Sequence, residues 1–308
     1  MAINQHAFFE SQFVPIEQAK ISVMTHALNY GTGCFEGIRA CWSEAEQQLY
    51  VFRMPEHYRR LHRSCRILLV DLPYSVEKLG ELTLELLRRE GFKSDSYVRP
   101  LAYKSQQGLG PRLKGAADGF TMFALPLGKY MEKDESATAC TASWSRVSDS
   151  SVPARAKCTG AYVNSALSKS EAQMNGFDEA IMLTRDGNVS EGSTENIFIV
   201  RDGVLITPDV TSDILEGITR ETLIHLAREE LGIPVQERTL GRTELYICDE
   251  AFLCGTGVQV AVLTSIDHRP VADGRIGPVT KKLREMYFDV VRGQVPKYKH
   301  WCAPVYEK

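Results

Sequence analysis

Lys157 is a residue whose type and setting could do covalent chemistry. It lies in the segment "VPARAKCTGAY", two residues after Arg155 and just before a predicted helix. A lysine beside another cation at a helix start is a candidate nucleophile toward a carbonyl compound. Most lysines are solvated surface residues, so Lys157 alone establishes no reaction.

A pair of carboxylates is the second candidate for chemistry. Glu191 and Glu195 lie four residues apart in "VSEGSTEN", between two β-rich runs. Two such carboxylates can serve as a general acid and a general base. The small residues around them favour a tight turn, and the interpretation preferred from the residues alone is that both face water.

Two segments have features that suit an anion. "LEGITRETL" places Gly217 before Ile218 and Thr219 at a predicted helix start, where free N–H groups and the helix dipole attract a phosphate. Thr219 could equally be a simple helix cap. In "CGTG" the glycines on either side of Thr256 open the backbone to a ligand, or only form a bulge.

An arginine inside a predicted helix is a further candidate. Arg60 shares one face of that helix with His57 and Ser64. An arginine at such a position usually packs its stem and keeps its charge in water.

The glycine-rich stretch "YGTGCFEGIR" at 30–39 looks like a phosphate loop but does not match one. Its spacing is one residue longer than the dinucleotide fingerprint, and it lacks the Gly-Lys-Ser/Thr of a P-loop. These glycines are therefore expected to allow backbone freedom or the close approach of another group.

The composition excludes several kinds of partner. The chain has 308 residues and a net charge of −3, which favours neither nucleic acid nor an anionic membrane. The apolar runs are too short to cross a bilayer. The start "MAINQHAFFE" lacks a signal-peptide pattern, so a cytoplasmic protein is expected. Eight scattered cysteines without metal-ligand spacing predict reduced packing thiols and no metal site.

Periodicity and turn residues predict a mixed α and β fold in two domains. The predicted domains are 1–127 and 137–308, joined by a polar linker over 128–136. Two Asp-Gly turns, at 186–187 and 202–203, predict β-hairpins. The predicted helices cover 55–69, 75–91, 160–176, 217–232 and 277–293.

The motifs together carry a family resemblance. In chain order they read YGTGxFEGIR, FRxxEHxxRL, YVRPL, K-x4-Y, SEGxxEN, GITR and GTG. From about residue 13 to the last helix the chain resembles the branched-chain amino acid aminotransferase family. These are pyridoxal-phosphate enzymes of the D-alanine aminotransferase-like fold (fold type IV). The resemblance implies a smaller N-terminal α/β domain on the substrate side. It also implies a larger C-terminal cofactor-binding domain with a β-rich, barrel-like core.

The resemblance implies a cofactor site for pyridoxal 5'-phosphate. Lys157 matches the lysine that carries the cofactor covalently and moves the substrate proton. Tyr162 matches the partner of the phenolic oxygen of the cofactor, and Glu191 matches the partner that keeps the pyridine nitrogen protonated. The implied cofactor-binding residues are Arg60, Lys157, Tyr162, Glu191, Leu215, Ile218, Thr219 and Thr256.

The resemblance also implies a substrate pocket with apolar walls and one arginine. Arg99 matches the residue that receives the distal carboxylate of glutamate, and the N–H groups of Gly257 and Val258 match the α-carboxylate site. Such a pocket can accept both leucine-like and glutamate-like side chains. The implied substrate-binding residues are Tyr30, Phe35, Gly37, Tyr97, Arg99, Tyr130, Gly257 and Val258. Without the resemblance, core packing is the preferred explanation of the aromatic residues.

The implied reaction is a ping-pong amino transfer. A branched-chain L-amino acid (Leu, Ile or Val) gives its amine to 2-oxoglutarate, which yields a branched 2-oxo acid and L-glutamate. The implied partners are therefore small amino acids and 2-oxo acids, with a homodimer as the minimum assembly and hexamers in some family members.

The sequence leaves other functions open. On the same fold they are a D-amino acid or (R)-amine transaminase and an aminodeoxychorismate lyase, and from another class a cofactor-binding protein without turnover. The chain departs from the family at Gly257, where alanine is usual, and at Thr194, where glycine is common. In the segment around the 105–113 loop, Lys104 and Arg112 could place a cation near the pocket.

Overall fold

The chain divides into two compact units that are not continuous in sequence. The structure is a computed structural model and describes residues 5–307. The first unit comprises Met1–Gly128, Ala156–Gly160 and Asp289–Lys308, and the second comprises Lys129–Arg155 and Ala161–Phe288. The functional division at 127 and 136 stays a prediction.

The N-terminal part of the chain forms seven strands and three α-helices among its described residues. The strands are β1 (His6–Phe9), β2 (Gln12–Pro15), β3 (Gly33–Phe35), β4 (Ile38–Ser43), β5 (Gln48–Phe52), β6 (Ser96–Lys104) and β7 (Asp118–Pro126). The helices are α1 (His26–Tyr30), α2 (Met54–Ile67) and α3 (Val76–Glu90), with a short 3-10 turn at Ile16–Gln18.

The rest of the described chain is richer in strands. The strands are β8 (Ala137–Thr141), β9 (Glu179–Leu183), β10 (Val189–Gly192), β11 (Asn196–Arg201), β12 (Val204–Thr207), β13 (Val235–Glu237), β14 (Glu250–Gly255), β15 (Gln259–Ile266), β16 (Arg269–Pro270) and β17 (Cys302–Pro304). The helices are α4 (Tyr162–Met174), α5 (Ile218–Glu229) and α6 (Pro278–Val291), with 3-10 turns at Arg242–Tyr246 and Pro296–Trp301.

The first unit is built on an eight-stranded sheet. Its strand order is β17-β5-β4-β6-β7-β1-β2, and β3 pairs with β6 beside this path. Buried apolar side chains from the sheet and from α2 and α3, among them Ile38, Leu61 and Leu86, form its core. This core fixes the faces of β3, β6 and α2 on which several predicted site residues lie.

The second unit is built on a nine-stranded sheet. Its order is β10-β9-β8-β15-β14-β11-β12-β13, with β16 paired to β15 at the side. Its core includes Ile181, Ile197 and Leu253 from the sheet. The sheet is the β-rich core that was predicted for the C-terminal part of the chain.

Local sequence signals set several element boundaries as predicted. Ser75 caps α3 by accepting a hydrogen bond from the Lys78 N–H at 3.2 Å, and Gly91 ends the helix with a left-handed φ of 63°. Asp202 and Gly203 both have positive φ values, 51° and 74°, as a two-residue hairpin turn requires. Both predicted Asp-Gly hairpins are confirmed by the antiparallel pairs β9–β10 and β11–β12.

One predicted strand is shorter than its sequence indicates. The β-rich run "ACTASWSRV" leaves the sheet at Thr141, where β8 ends. Side chains take over as backbone partners, because Asp267 accepts from the Thr141 N–H at 2.6 Å and Glu171 accepts from the Ser143 N–H at 3.1 Å. These carboxylates satisfy the N–H groups of Thr141 and Ser143, while the Ala142 N–H still donates to the Ile181 carbonyl of β9 at 2.9 Å.

Two further expectations concern the whole described chain. All eight cysteines are free and buried, as expected for packing residues. Among residues 5–307, none of the helices is both long and apolar enough to cross a membrane.

Candidate active site

The backbone of Lys157 is held from two sides within the first unit. Its N–H donates to Ser64 Oγ of α2 at 3.2 Å, and its carbonyl accepts from the Phe35 N–H of β3 at 3.1 Å. The next residue, Cys158, forms an antiparallel bridge with Cys34. The Lys157 amine lies 5.2 Å from the centroid of the Phe35 ring. A helix and a strand therefore fix the lysine against an aromatic wall.

The glycines of "YGTGCFEGIR" allow close approach, as expected. Gly31 ends α1 with a φ of 65°, and a Cβ on it would lie 2.7 Å from the Cα of Gly160. A Cβ on Gly37 would lie 2.1 Å from the hydroxyl of Tyr97. Gly31 thus lets the chain pass beside the Lys157 segment, and Gly37 leaves room for the tyrosine.

Arg99 and Tyr97 form one polar group on the same face of β6. Arg99 Nη2 donates to the Tyr97 hydroxyl at 2.9 Å, and Nε lies 3.3 Å from the same oxygen. The Arg99 guanidinium also lies over the Phe35 ring, 4.3 Å from its centroid. The Phe35 ring therefore contacts both the Lys157 amine and a guanidinium that can bind a carboxylate.

Tyr30 is tied to the loop at 105–113. Its hydroxyl accepts from the Gly110 N–H at 2.9 Å, and His26 Nε2 bonds the Gly110 carbonyl at 3.0 Å. The suggestion that Lys104 supplies a pocket cation is wrong. Its side chain is buried, pairs with Asp118 at 2.7 Å and donates to the Leu69 carbonyl at 2.5 Å, so its charge is used inside the unit.

Arg60 is bound to a buried carboxylate that the sequence did not single out. Arg60 Nε and Nη2 donate to the two oxygens of Glu36 at 2.6 and 2.7 Å, and His57 Nδ1 lies 2.7 Å from Glu36 Oε2. Burial alone would raise the pKa of Glu36, but Arg60 and His57 hold that pKa far below its usual range. Burial lowers the pKa of His57, so its neutral form is favoured.

The expectation that Arg60 keeps its charge in water is therefore wrong. Only 4 % of the residue is exposed, because the pair with Glu36 compensates the buried charge. A signal for Glu36 was present in the sequence. Glu36 is the acidic residue of the motif that contains Phe35 and Gly37, but nothing local linked it to Arg60, 24 positions away.

Glu191 lies on β10 of the second unit, and its donors include Arg146, Asn196 and the backbone of Leu215. Arg146 Nη2 lies 2.9 Å from Oε1, while Asn196 Nδ2 and the Leu215 N–H donate to Oε2 at 3.0 and 3.1 Å. These charged and neutral donors fix the orientation of the Glu191 carboxylate. Arg146 and Asn196 were not assigned to the site from the sequence.

Glu195 is also buried, so the preferred water-facing turn is wrong for both carboxylates. The exposed fractions are 5 % for Glu191 and 3 % for Glu195. The turn folds back on itself, since the Gly192 N–H donates to the Glu195 carbonyl at 2.6 Å. Burial, with the nearby charge of Glu179, raises the pKa of Glu195 to about 8.

The start of α5 has the form of an anion site. Gly217 is its N-cap and provides no side-chain acceptor for the first turn, which contains Ile218 and Thr219. The first N–H groups of an α-helix have no partner within the helix, so they are suited to bind phosphate oxygens. A Cβ on Gly217 would lie 2.0 Å from Asn196 Oδ1, so a larger residue at this cap would displace the Asn196 amide.

The turn between β14 and β15 places three predicted residues together. Thr256, Gly257 and Val258 lie in this turn, and Val258 is buried. A Cβ on Gly257 would be in ordinary contact, 3.5 Å, with the ring of Tyr130. The turn therefore presents backbone next to an aromatic side chain, and its role as a substrate wall stays a prediction.

The predicted site residues fall into two groups, one in each unit. The group of the first unit is Tyr30, Phe35, Gly37, Arg60, Tyr97, Arg99 and Lys157. The group of the second unit is Tyr130, Tyr162, Glu191, Leu215, Ile218, Thr219, Thr256, Gly257 and Val258. Their individual roles toward cofactor and substrate stay predictions.

Comparison with known proteins identifies relatives over nearly the whole chain. Residues 33–266 match the family model for amino-transferase class IV. The probable branched-chain-amino-acid aminotransferase of Aquifex aeolicus is 48% identical over 302 residues, which are 98% of this chain and 97% of the relative.

Solved structures match equally far along the chain. The branched-chain aminotransferase of the archaeon Thermoproteus uzoniensis, crystallised with norvaline, has a TM-score of 0.94 and 45% identity, and the match covers 98% of this chain and 99% of that one. The branched-chain amino acid aminotransferase of Thermobaculum terrenum, in its PLP-form (holo-form), has a TM-score of 0.95 and 38% identity, with 100% of each chain covered.

These matches confirm the mixed α/β, fold type IV expectation and the family resemblance that the motifs carried. With the family model spanning most of the sequence and a relative at 48% identity, the chain belongs to the branched-chain aminotransferases of amino-transferase class IV.

Proposed function

We propose that the protein transfers the amino group of L-leucine, L-isoleucine or L-valine to 2-oxoglutarate with pyridoxal 5'-phosphate as cofactor. The products are the branched 2-oxo acid and L-glutamate, formed by a ping-pong mechanism. The relatives above are named as branched-chain aminotransferases, which favours this reaction over the D-amino acid, (R)-amine and lyase alternatives.

The observation that carries the proposal is that the Lys157 amine and the Arg99 guanidinium both lie close to the Phe35 ring. The Lys157 amine and the Arg99 guanidinium lie 5.2 and 4.3 Å from its centroid. A substrate reacting at Lys157 can rest its side chain on this apolar ring and, if it ends in a carboxylate, reach Arg99. This arrangement suits both a branched and an acidic side chain.

The residues present fit the cofactor in charge and donor type. The carboxyl group of Glu191, oriented by its donors, suits a protonated ring nitrogen, and the uncapped first turn of α5 suits a phosphate. Lys157, Tyr162, Glu191 and Leu215 would hold the ring, while Arg60, Ile218, Thr219 and Thr256 would hold the phosphate. When bound, pyridoxal phosphate supplies an electron sink for the substrate Cα and a carrier for the amine.

The residues of the chain then perform positioning and proton transfer. Lys157 Nζ would move a proton from the substrate Cα to the cofactor carbon that receives the amine. In the second half-reaction it would move a proton from that carbon to the Cα of the L-glutamate being formed. The backbone N–H groups of Gly257 and Val258 bind the α-carboxylate. Arg99, oriented by the Tyr97 hydroxyl, binds the distal carboxylate of 2-oxoglutarate and L-glutamate.

We also propose that the protein is at least a homodimer and works in the cytoplasm. The segment at 21–28 exposes several large apolar side chains, as interfaces do, and buried free thiols suit a reducing compartment. The exposed residues are Ile21 at 48%, Val23 at 81%, Met24 at 54% and Leu28 at 60%.

The proposal is tested by adding excess L-leucine without an acceptor to the purified holoenzyme. We expect the yellow absorbance to fade and about one equivalent of 4-methyl-2-oxopentanoate to be released per bound cofactor. Lys157→Ala should abolish this half-reaction. A yellow protein that ignores L-leucine but reacts with a D-amino acid would refute the substrate assignment.

A second experiment tests the role of Arg99. Arg99→Ala should raise the KM for 2-oxoglutarate about tenfold or more, because a charge-assisted contact is lost. The KM for 4-methyl-2-oxopentanoate should change much less. Equal changes for both oxo acids would remove the proposed role of Arg99.

A further inference from the structure

Asn196 lies where two parts of the proposed cofactor site meet. Its Nδ2 donates to Glu191 Oε2 at 3.0 Å and to the Leu215 carbonyl at 2.9 Å. Both neighbours are acceptors only, so the amide nitrogen and not the amide oxygen must face them. The residue is only 6% exposed, so loss of these bonds would leave buried polar groups without partners, which costs free energy.

The other side of the same amide packs on the start of α5. A Cβ on Gly217 would lie 2.0 Å from Asn196 Oδ1, so the glycine allows direct contact between the amide and the helix cap. The Leu215 N–H also donates to Glu191 Oε2 at 3.1 Å, which closes a triangle of contacts among Glu191, Leu215 and Asn196.

The backbone of Asn196 lies beside a third segment of the proposed site. Asn196 begins β11 and pairs in register with Cys254 of β14. Thr256 follows two residues later, in the turn that leads to Gly257 and Val258. Asn196 therefore contacts the Glu191 carboxylate and the start of α5, and its strand, β11, lies beside the strand that leads into the β14–β15 turn.

We propose that Asn196 is a positioning residue that holds Glu191 and the segment 215–217 in one fixed arrangement. The inference rests on the proposed function and deepens it. The ring nitrogen and the phosphate of pyridoxal phosphate are separated by a fixed length, so the groups that receive them must keep a fixed separation. A buried amide bonded to both sets that separation, as residues behind a binding site commonly do.

The affinity for the cofactor is the first measurement. Apoenzyme of the wild type and of Asn196→Ala is titrated with pyridoxal 5'-phosphate and followed by absorbance. We expect the variant to bind the cofactor at least about tenfold more weakly. Loss of the amide hydrogen bonds would leave both Glu191 and the segment 215–217 free to move. Asn196→Asp should be weaker still, since its oxygen would face Glu191 Oε2 and the Leu215 carbonyl.

A matched control separates positioning from general stability. Thr207 lies on the neighbouring strand β12 and is fully buried, and its Oγ1 donates to the Ile197 carbonyl at 2.8 Å. Thr207→Val removes one buried hydrogen bond from the same sheet, and that bond involves neither Glu191 nor α5. It should lower the melting temperature and leave the cofactor Kd within about twofold of the wild type, because a single neutral hydrogen bond away from the site contributes only to stability.

Hydrogen exchange gives a readout that does not involve the loaded enzyme. In apoenzyme, amides at 215–219 should exchange faster in Asn196→Ala than in the wild type or in Thr207→Val. If Asn196→Ala fails to fold, Gly217→Ala disturbs the same amide from its other side and should weaken cofactor binding in the same way.

The outcomes distinguish this inference from the proposed function. A wild type that binds no pyridoxal phosphate overturns both. If the wild type binds pyridoxal phosphate, the two variants are compared. Equal cofactor Kd values and equal exchange rates at 215–219 in Asn196→Ala and Thr207→Val would overturn only the role of Asn196. Weaker binding with faster local exchange in Asn196→Ala alone supports the role.

Discussion

Replacing Gly37 with alanine tests how the space around Tyr97 controls Arg99, the proposed receptor of the distal carboxylate. The new Cβ would lie 2.1 Å from the Tyr97 hydroxyl oxygen and 2.7 Å from the ring carbon that bears it. An ordinary carbon–oxygen contact is longer than about 3 Å, so the end of the tyrosine side chain must move by roughly 1 Å or more. The movement takes the hydroxyl away from Arg99, which donates to it at 2.9 Å.

The size of the effect follows from the contact that is lost. A hydrogen bond involving a charged group contributes about 1.5–3 kcal/mol, and about 1.4 kcal/mol corresponds to a tenfold change in binding. If Arg99 is no longer oriented, the KM for 2-oxoglutarate should therefore rise about ten- to hundredfold. The KM for 4-methyl-2-oxopentanoate, which has no distal carboxylate, should rise no more than about threefold.

A double-mutant cycle with Tyr97→Phe gives the control. Tyr97→Phe removes the atom nearest to the new Cβ and also removes the hydrogen bond to Arg99. If the reasoning holds, Tyr97→Phe alone raises the KM for 2-oxoglutarate, and Gly37→Ala adds little to it. Steady-state kinetics with both oxo acids measure all four proteins. Full additivity of the two changes, or equal effects on the two substrates, would refute it.

Three further predictions concern buried carboxylates and a helix cap. Glu36→Gln leaves Arg60 with an uncompensated buried charge and should destabilise the protein by about 3 kcal/mol in denaturant unfolding. Because the folded-state pKa of Glu36 is lowered, the wild type should lose stability below about pH 4.5 more steeply than this variant; parallel pH profiles would contradict that. The pKa of Glu195 is raised to about 8, so the folded state keeps a proton that the unfolded state releases above about pH 4.5. The stability of the wild type should therefore fall as the pH rises from about 4.5 toward 8. Glu195→Gln should therefore melt higher than the wild type at about pH 9 but not at about pH 5, and an equal difference at both pH values would exclude a buried neutral Glu195. Ser75→Ala should lower stability by about 1 kcal/mol through loss of the α3 cap, whereas Ser75→Asp should retain it, and an unaffected Ser75→Ala would show that the cap contributes nothing.

The elements that local signals specify could be predicted from the sequence. Ser75 and Gly91 bound α3, and Asp202-Gly203 makes a hairpin turn, because capping and positive φ depend on one or two neighbouring residues. The order of the motifs predicted the family and its fold, which the comparisons confirmed.

The partners of the buried charged groups could not be predicted in this way. Arg60 was expected in water, and both Glu191 and Glu195 were preferred as water-facing turn residues. Residue type gives the average exposure of a charged side chain, but the pairs that permit burial join residues far apart in sequence or on different elements.

The sequence by itself determined the family of this protein, the residue types that could do its chemistry and the ends of many of its elements. Only the tertiary structure decided that Glu36 pairs with Arg60, that Asn196 joins Glu191 to the start of α5, and that residues 156–160 group with the N-terminal unit. The physical reason is range. Helix caps and turns are decided by a few adjacent residues, whereas burial of a charge is decided by whichever distant donors the packed core brings to it.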